Sequence, residues 1–211
     1  MSDASVRTAR LHDVRQVGEI QAAVWREAYS ALVDPEVLET FLPAAFEEAW
    51  RTSLADAPSP RHRLLVATEG GDIDGNGETI VGFAAIGPSA DPDAGRAAGP
   101  DETGEGEILA LAVDPAHRGS GHGSRLLNAA VDTLRAGDFT GVSAWLLSDD
   151  EATRAFAETA GLRPDGAYRD RVVSADGRTA REVRLTAGLA DTASPEQTAS
   201  PEQATSPEQH T

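Results

Sequence analysis

Two spacings alternate along this chain. Val14, Val17, Ile20, Val24, Trp25 and Ala28 recur every three or four residues, the period of one helical face, behind a short extended run, "VRTAR". Asp13 stands where an N-cap belongs. Asp34 followed by Pro35 offers a second cap, opening "PEVLETFL", and Phe46, Trp50 and Leu54 mark a further helical face. The pattern then tightens. "RLLVAT" and "TIVGFAAIG" are short apolar runs rich in strand formers, and "EGGDIDGNGE" between them carries the Asp-Gly and Asn-Gly steps of a hairpin.

From "EILALAVDP", a strand stopped by proline, the chain passes to "GSRLLNAAVDTLRAG", where Leu126, Leu127, Ala130, Val131 and Leu134 share one helical side before a glycine stop. "VSAWLLS" reads as the next strand, and "DDEATRAFAETAG" as a shorter helix with Asp149 or Asp150 as cap and Gly161 past its end. "YRDRVVS" and "REVRLTA" flank Asp176-Gly177 as a closing hairpin. Strand, two or three helices, three strands, helix, strand, helix, two strands: this order predicts an α/β fold with a mixed sheet.

Two stretches break the pattern. Residues 87–106, "GPSADPDAGRAAGPDETGEG", contain almost nothing apolar between two predicted strands and read as an acidic loop insertion, a lid or a solvated excursion. Residues 191–211 carry three copies of a Ser-Pro-Glu-Gln unit with too little apolar surface for a core, so a disordered tail is expected after one domain over 1–190.

Composition narrows the chemistry. The chain has 211 residues and no cysteine, which removes disulfides, thiolate metal sites and a cysteine-linked acyl intermediate. All 18 basic residues are arginine, so a phosphate-loop lysine and a lysine Schiff base are excluded. A net charge of -17, or about -13 without the four acids of the tail, argues against a nucleic-acid partner and eases the approach of a cation. No apolar run approaches the length of a membrane span and the first residues lack a signal h-region, so a cytoplasmic protein with no membrane partner is expected. Asp72, Asp74, Asn76 and Gly77 imitate the front of a calcium loop, but its twelfth position falls on Phe83 where a glutamate is needed. His12, His62, His117 and His210 have no metal-ligand spacing, so no metal is expected.

The stretch "HRGSGHGSRLL" raises a sharper possibility. A strand stopping at Pro115, then an arginine, then Gly119, Gly121 and Gly123, then a helix is an anion-binding arrangement: the first helical turn has unpaired N–H groups at the positive end of its dipole, and absent side chains let an anion reach them. Neither a phosphate-loop NTPase nor a dinucleotide fingerprint fits the spacing. Together with "LAVDP", "RGSGHG" fits R/Q-x-x-G-x-G/A and resembles the coenzyme A pyrophosphate loop of the GNAT N-acyltransferase superfamily; "WREAYSAL" is similar to the W-R-E-A-Y-x-x-L of many bacterial members. The resemblance spans about residues 6–187.

It implies a mostly antiparallel central sheet flanked by helices, whose central strands splay beside "ILALAV", with acetyl-CoA or another acyl-CoA in the gap. Backbone N–H groups of Arg118, Gly119, Ser120, Gly121, His122, Gly123 and Ser124 would bind the pyrophosphate, and Leu111, Ala112 and Val113 would pair with the pantetheine arm. The His122 side chain would turn inward. Glu107 aligns with a carboxylate that takes the amine's proton, directly or through water. In the pattern N-x-x-A-x-x-F-Y this chain has Asp150, Thr153, Phe156 and Ala157, so the cofactor-side positions Asp150 and Phe156 are filled while the tyrosine acid is replaced. Trp25 and Tyr29 would wall the acceptor side, unless they simply form a packed aromatic face. The function so implied is acetyl transfer to a primary amine of a small molecule or peptide by direct attack in a ternary complex, in a family where homodimers are common. A catalytically silent acyl-CoA-binding module is the alternative, and an interaction surface on the acidic loop and tail a third.

Overall fold

The computed structural model describes residues 4–70, 77–91, 104–174 and 176–189. Seven strands, β1 (Ala4–Thr8), β2 (Arg63–Glu69), β3 (Thr79–Pro88), β4 (Gly106–Val113), β5 (Gly141–Leu147), β6 (Arg163–Val172) and β7 (Thr179–Gly188), form one sheet in the order β1-β2-β3-β4-β5-β7-β6. Every neighbouring pair is antiparallel except β4 and β5. Helices α1 (Val14–Tyr29), α2 (Pro35–Glu39) and α3 (Pro43–Ala55) follow β1; α4 (His122–Ala136) joins β4 to β5, and α5 (Glu151–Thr159) joins β5 to β6. The element order is the one the residue spacings predict.

β2 and β3 are buried along nearly their whole length because both faces of the sheet are covered. Leu64 and Val66 point with Phe83 toward Val17 and Ile20 of α1, while Leu65 and Ala67 point with Val81 and Ala84 toward Leu126, Leu127, Ala130 and Leu134 of α4. Gly18 lets α3 cross α1 closely: a Cβ there would stand 2.7 Å from the Pro43 carbonyl oxygen. No helix among the described residues is long and apolar enough to cross a membrane.

Two expected caps serve other partners. Asp13 precedes α1 but sends no side-chain bond into it; its carboxylate, 2% exposed, accepts from Arg7 Nη1 at 2.7 Å and from the Arg10 amide at 2.6 Å. A guanidinium offers a buried carboxylate a stronger, charge-assisted bond than a helix amide does. Asp34 opens α2 ahead of Pro35, yet its carboxylate accepts from Arg178 in the turn between β6 and β7. Asp150 does cap α5, accepting from the Thr153 amide at 2.9 Å.

The acidic stretch gives up its ends to the sheet, since Gly87 pairs with Glu107 and Pro88 with Gly106. Its residues 92–103 lie outside the described residues, as do Asp72, Asp74 and Asn76 of the calcium-like loop, His210 and the repeat tail.

Candidate active site

β4 and β5 pair over three residues only, Gly106 with Val142, Glu107 with Ser143 and Ile108 with Ala144. Beyond that point they part, while β4 stays bonded to β3 as far as Val113 and β5 to β7 as far as Leu147. A bulge starts the divergence: Ala85 faces Ala110 and Ile86 faces Ile108, leaving Leu109 as the extra residue that bends β4. A slot of about 250 Å³ opens through the sheet, with Trp25 and Tyr29 of α1 on one face and Leu127, Phe156 and Leu162 on the other. Leu111 lines the slot, Ala112 faces the core under α1, and Val113 packs toward α4.

The glycine loop adjoins this slot through Phe156, which lines the slot and packs over Gly123. Gly119 and Gly121 have φ of +80° and +82°, the left-handed region that glycine enters without a Cβ penalty, and they turn the chain so that α4 begins at His122. No backbone or side-chain acceptor among the described residues takes the N–H of Gly119, Ser120, Gly121, His122, Gly123 or Ser124. Gly123 lies under the Phe156 ring, which comes within 3.3 Å of where its Cβ would stand, so α5 packs onto the loop.

Side chains hold the loop from behind. His122 is 1% exposed, and its Nε2 shares a 2.7 Å hydrogen bond with Glu69 at the end of β2. The inward turn expected of this histidine is what the fold contains. The Arg118 side chain reaches α1: both terminal nitrogens donate to the Glu27 carboxylate, at 2.9 and 2.7 Å, so the guanidinium ties α1 to the loop. That contact lowers the Glu27 pKa and raises that of Arg118, in each case chiefly through the hydrogen bond they share.

Arg125, overlooked in the sequence, folds back to donate to the Ser120 carbonyl at 2.9 Å. A signal for it was present. The first turn of α4 has no acid and an arginine instead, the reverse of what the helix dipole favours unless an anion sits there.

On the slot itself, Glu107 is 9% exposed and accepts from the Ser89 hydroxyl at 2.9 Å. Beside it stands Trp145 of β5, whose buried indole N–H has no partner among the described residues and whose ring lies 4.3 Å beneath the Arg169 guanidinium. Arg169 and Arg171 of β6 both reach Glu182 of β7, at 2.6 and 3.2 Å. Arg184 bridges Asp165 and Asp91, at 2.7 and 2.9 Å. An outer pocket of about 600 Å³ adjoins the slot through Glu107, Leu109, Trp145 and Arg169. Nearby Glu105 has its pKa raised, first by burial and then by Asp165, Asp91 and Glu107, with Arg184 opposing.

Trp25 stacks on Phe83 at 6.4 Å and Tyr29 meets Phe41 edge-on at 6.1 Å, so both pack while also lining the slot. Burial raises the Tyr29 pKa, helped by Glu182 and opposed by Arg171 and Arg169. Ser89, Trp145, Arg169, Arg171, Glu182 and Arg184 escaped the sequence reading, because only strand register brings them together. Among the described residues no His, Asp or Glu group is arranged to hold a metal ion.

A glycine-flanked helix N-terminus without acids, beside a slot that threads a split sheet, suits an α/β enzyme that takes a phosphate-bearing ligand with a slender arm. The chain belongs to the acetyltransferase (GNAT) family, whose model matches residues 23–162. It is 21% identical over 146 residues to the uncharacterized N-acetyltransferase YuaI of Bacillus subtilis strain 168, covering 69% of this chain and 73% of that protein. Among solved structures, yncA from Salmonella typhimurium, determined with its cofactor acetyl-CoA, superposes with a TM-score of 0.61 at 21% identity, over 92% of this chain and 99% of that one. The paia N-acetyltransferase of Thermoplasma acidophilum, in complex with coenzyme A, gives 0.58 at 15% identity, over 85% and 98%. At such identities the superpositions show the shared fold.

Proposed function

We propose that this protein moves the acetyl group of acetyl-CoA to a primary amine of a small molecule or peptide, by direct attack with both substrates bound. The observation that carries this reading is the set of loop amides from Gly119 to Ser124 that no acceptor among the described residues takes, next to a slot that the loop meets through Phe156. Arg125 beside the loop and the acid-free first turn of α4 fit a diphosphate. The unpaired edge of β4 over Leu111, Ala112 and Val113 offers backbone groups to an amide-bearing arm. That two fold neighbours were solved with acetyl-CoA or coenzyme A supports the ligand.

Acetyl-CoA supplies an activated acyl carbon with a thiol leaving group. Glu107, fixed by Ser89 where β4 and β5 part, takes the amine's proton, directly or through one water. Without a cysteine in the chain, no thiol carries the acetyl group between donor and acceptor. Trp25 and Tyr29 wall the face of the slot from which the amine approaches. Asp150 acts on the cofactor side by capping α5, which holds the Phe156 ring against Gly123.

Isothermal titration with coenzyme A tests the binding step, and absence of heat overturns it. Thiol release from acetyl-CoA across a panel of primary amines tests the transfer. A silent acyl-CoA-binding module is the second reading, favoured by Ala157 at the usual tyrosine position; binding without turnover on any amine selects it.

A further inference from the structure

Expulsion of a thiolate is eased by a proton, and the residue at position 157 is a buried alanine with none to give. Other groups on the slot sort by chemistry. Arg169 and Arg171 are engaged by Glu182. The Thr153 hydroxyl donates to Asp150 at 2.6 Å. The Trp145 indole is no acid at working pH. Tyr168, the other tyrosine, is 61% exposed and lies under Arg181 in the outer pocket, away from the slot. Tyr29 remains. It is half-buried at the end of α1, its ring fixed by Phe41, facing the same slot as Leu109, Trp145, Phe156 and Ala157.

We propose that Tyr29 is the general acid of the transfer, supplying from α1 the proton that the residue at 157 on α5 lacks. This assignment rests on the acetyl-CoA reading above. As the amine nitrogen bonds to the acetyl carbon, the carbon–sulfur bond breaks with its electron pair on sulfur. The Tyr29 O–H proton passes to that sulfur, and the amine's surplus proton passes to Glu107. Tyr29 is left as a phenolate facing Arg169 and Arg171, and it is reprotonated through water while Glu107 releases the proton it took. Burial and the Glu182 carboxylate push the phenol up, against the pull of Arg171 and Arg169, so Tyr29 enters the step protonated.

The test uses the full chain and coenzyme A itself, so it does not wait on the natural acceptor. Bound coenzyme A is titrated by the ultraviolet absorbance of its thiolate, in the native protein and in Tyr29→Phe, against an S-methyl coenzyme A blank. A phenol aimed at the sulfur stabilises the thiolate by a charge-assisted hydrogen bond, so the thiol should titrate about one pH unit higher in Tyr29→Phe, with the coenzyme A dissociation constant changed less than about twofold. Turnover of acetyl-CoA with ethylamine or an alanine-initiated tripeptide should fall about 100-fold at an unchanged KM for acetyl-CoA. An identical thiol titration in the two proteins overturns the assignment to Tyr29, as does a variant that turns over as fast as the native enzyme. Failure of the native protein to bind coenzyme A is a different result, and it removes the function on which the assignment rests.

Discussion

Consecutive residues, Arg118 to Ser124, make the glycine loop beside the slot, whereas the cluster around Glu107 collects Ser89, Trp145, Arg169 and Glu182 from separate parts of the chain. The first presents main-chain amides and needs only a conformation: two left-handed glycines and a helix start. The second presents side chains and needs a register, since Arg169 meets Glu182 only because those residues face each other across β6 and β7. A site made of backbone should therefore tolerate loss of its nearby charges and fail when its dihedrals are disturbed. A site made of side chains should lose catalysis with one atom's change and keep its ligand.

Glu107→Gln gives the largest expected effect. Turnover of acetyl-CoA with amine should fall by about 100- to 1000-fold while coenzyme A affinity, read by isothermal titration, stays put. Equal loss of both would erase the distinction between the two regions. Next comes Gly121→Val: a β-branched residue at φ +82° is strained by about 1–3 kcal/mol, and coenzyme A should bind about 10- to 100-fold more weakly. Retention of native affinity would mean that the loop is not an amide cradle.

Glu69→Ala leaves the buried His122 ring without its partner, a cost of about 1–3 kcal/mol. Part of that should appear as a lower thermal midpoint and part as weaker coenzyme A binding, with kcat at saturating acetyl-CoA little changed. Arg118→Ala is the smallest change expected. Its guanidinium is already engaged by Glu27 in an exposed pair, worth about 0.2–1 kcal/mol, so coenzyme A affinity should drop less than about fivefold. A larger loss would show that Arg118 leaves Glu27 for the ligand.

The contrast also explains what could be read before folding was known. Helix and strand order follows from spacing because burial acts on each element locally: Val14, Val17 and Ile20 share a face at any tertiary arrangement, and Leu64 to Ala67 cannot face water on either side. Gly119 and Gly121 are legible for the same reason, since a left-handed turn before a helix is a demand on adjacent residues. Caps were legible by position but not by bond. Asp13 and Asp34 stand where caps belong, and their carboxylates go to Arg7 and Arg178.

What only the tertiary structure decided is where distant side chains converge. The bulge at Leu109, the parting of β4 from β5, the clasp of Arg118 by Glu27 and the grouping of Trp145, Arg169, Arg171 and Glu182 beside Tyr29 all depend on strand pairing and helix packing. A periodic pattern states which face of an element is buried and nothing about its partner. The glycine loop could be found in sequence because its parts are neighbours in the chain; the side-chain cluster beside the slot could not, because its parts are neighbours only in space.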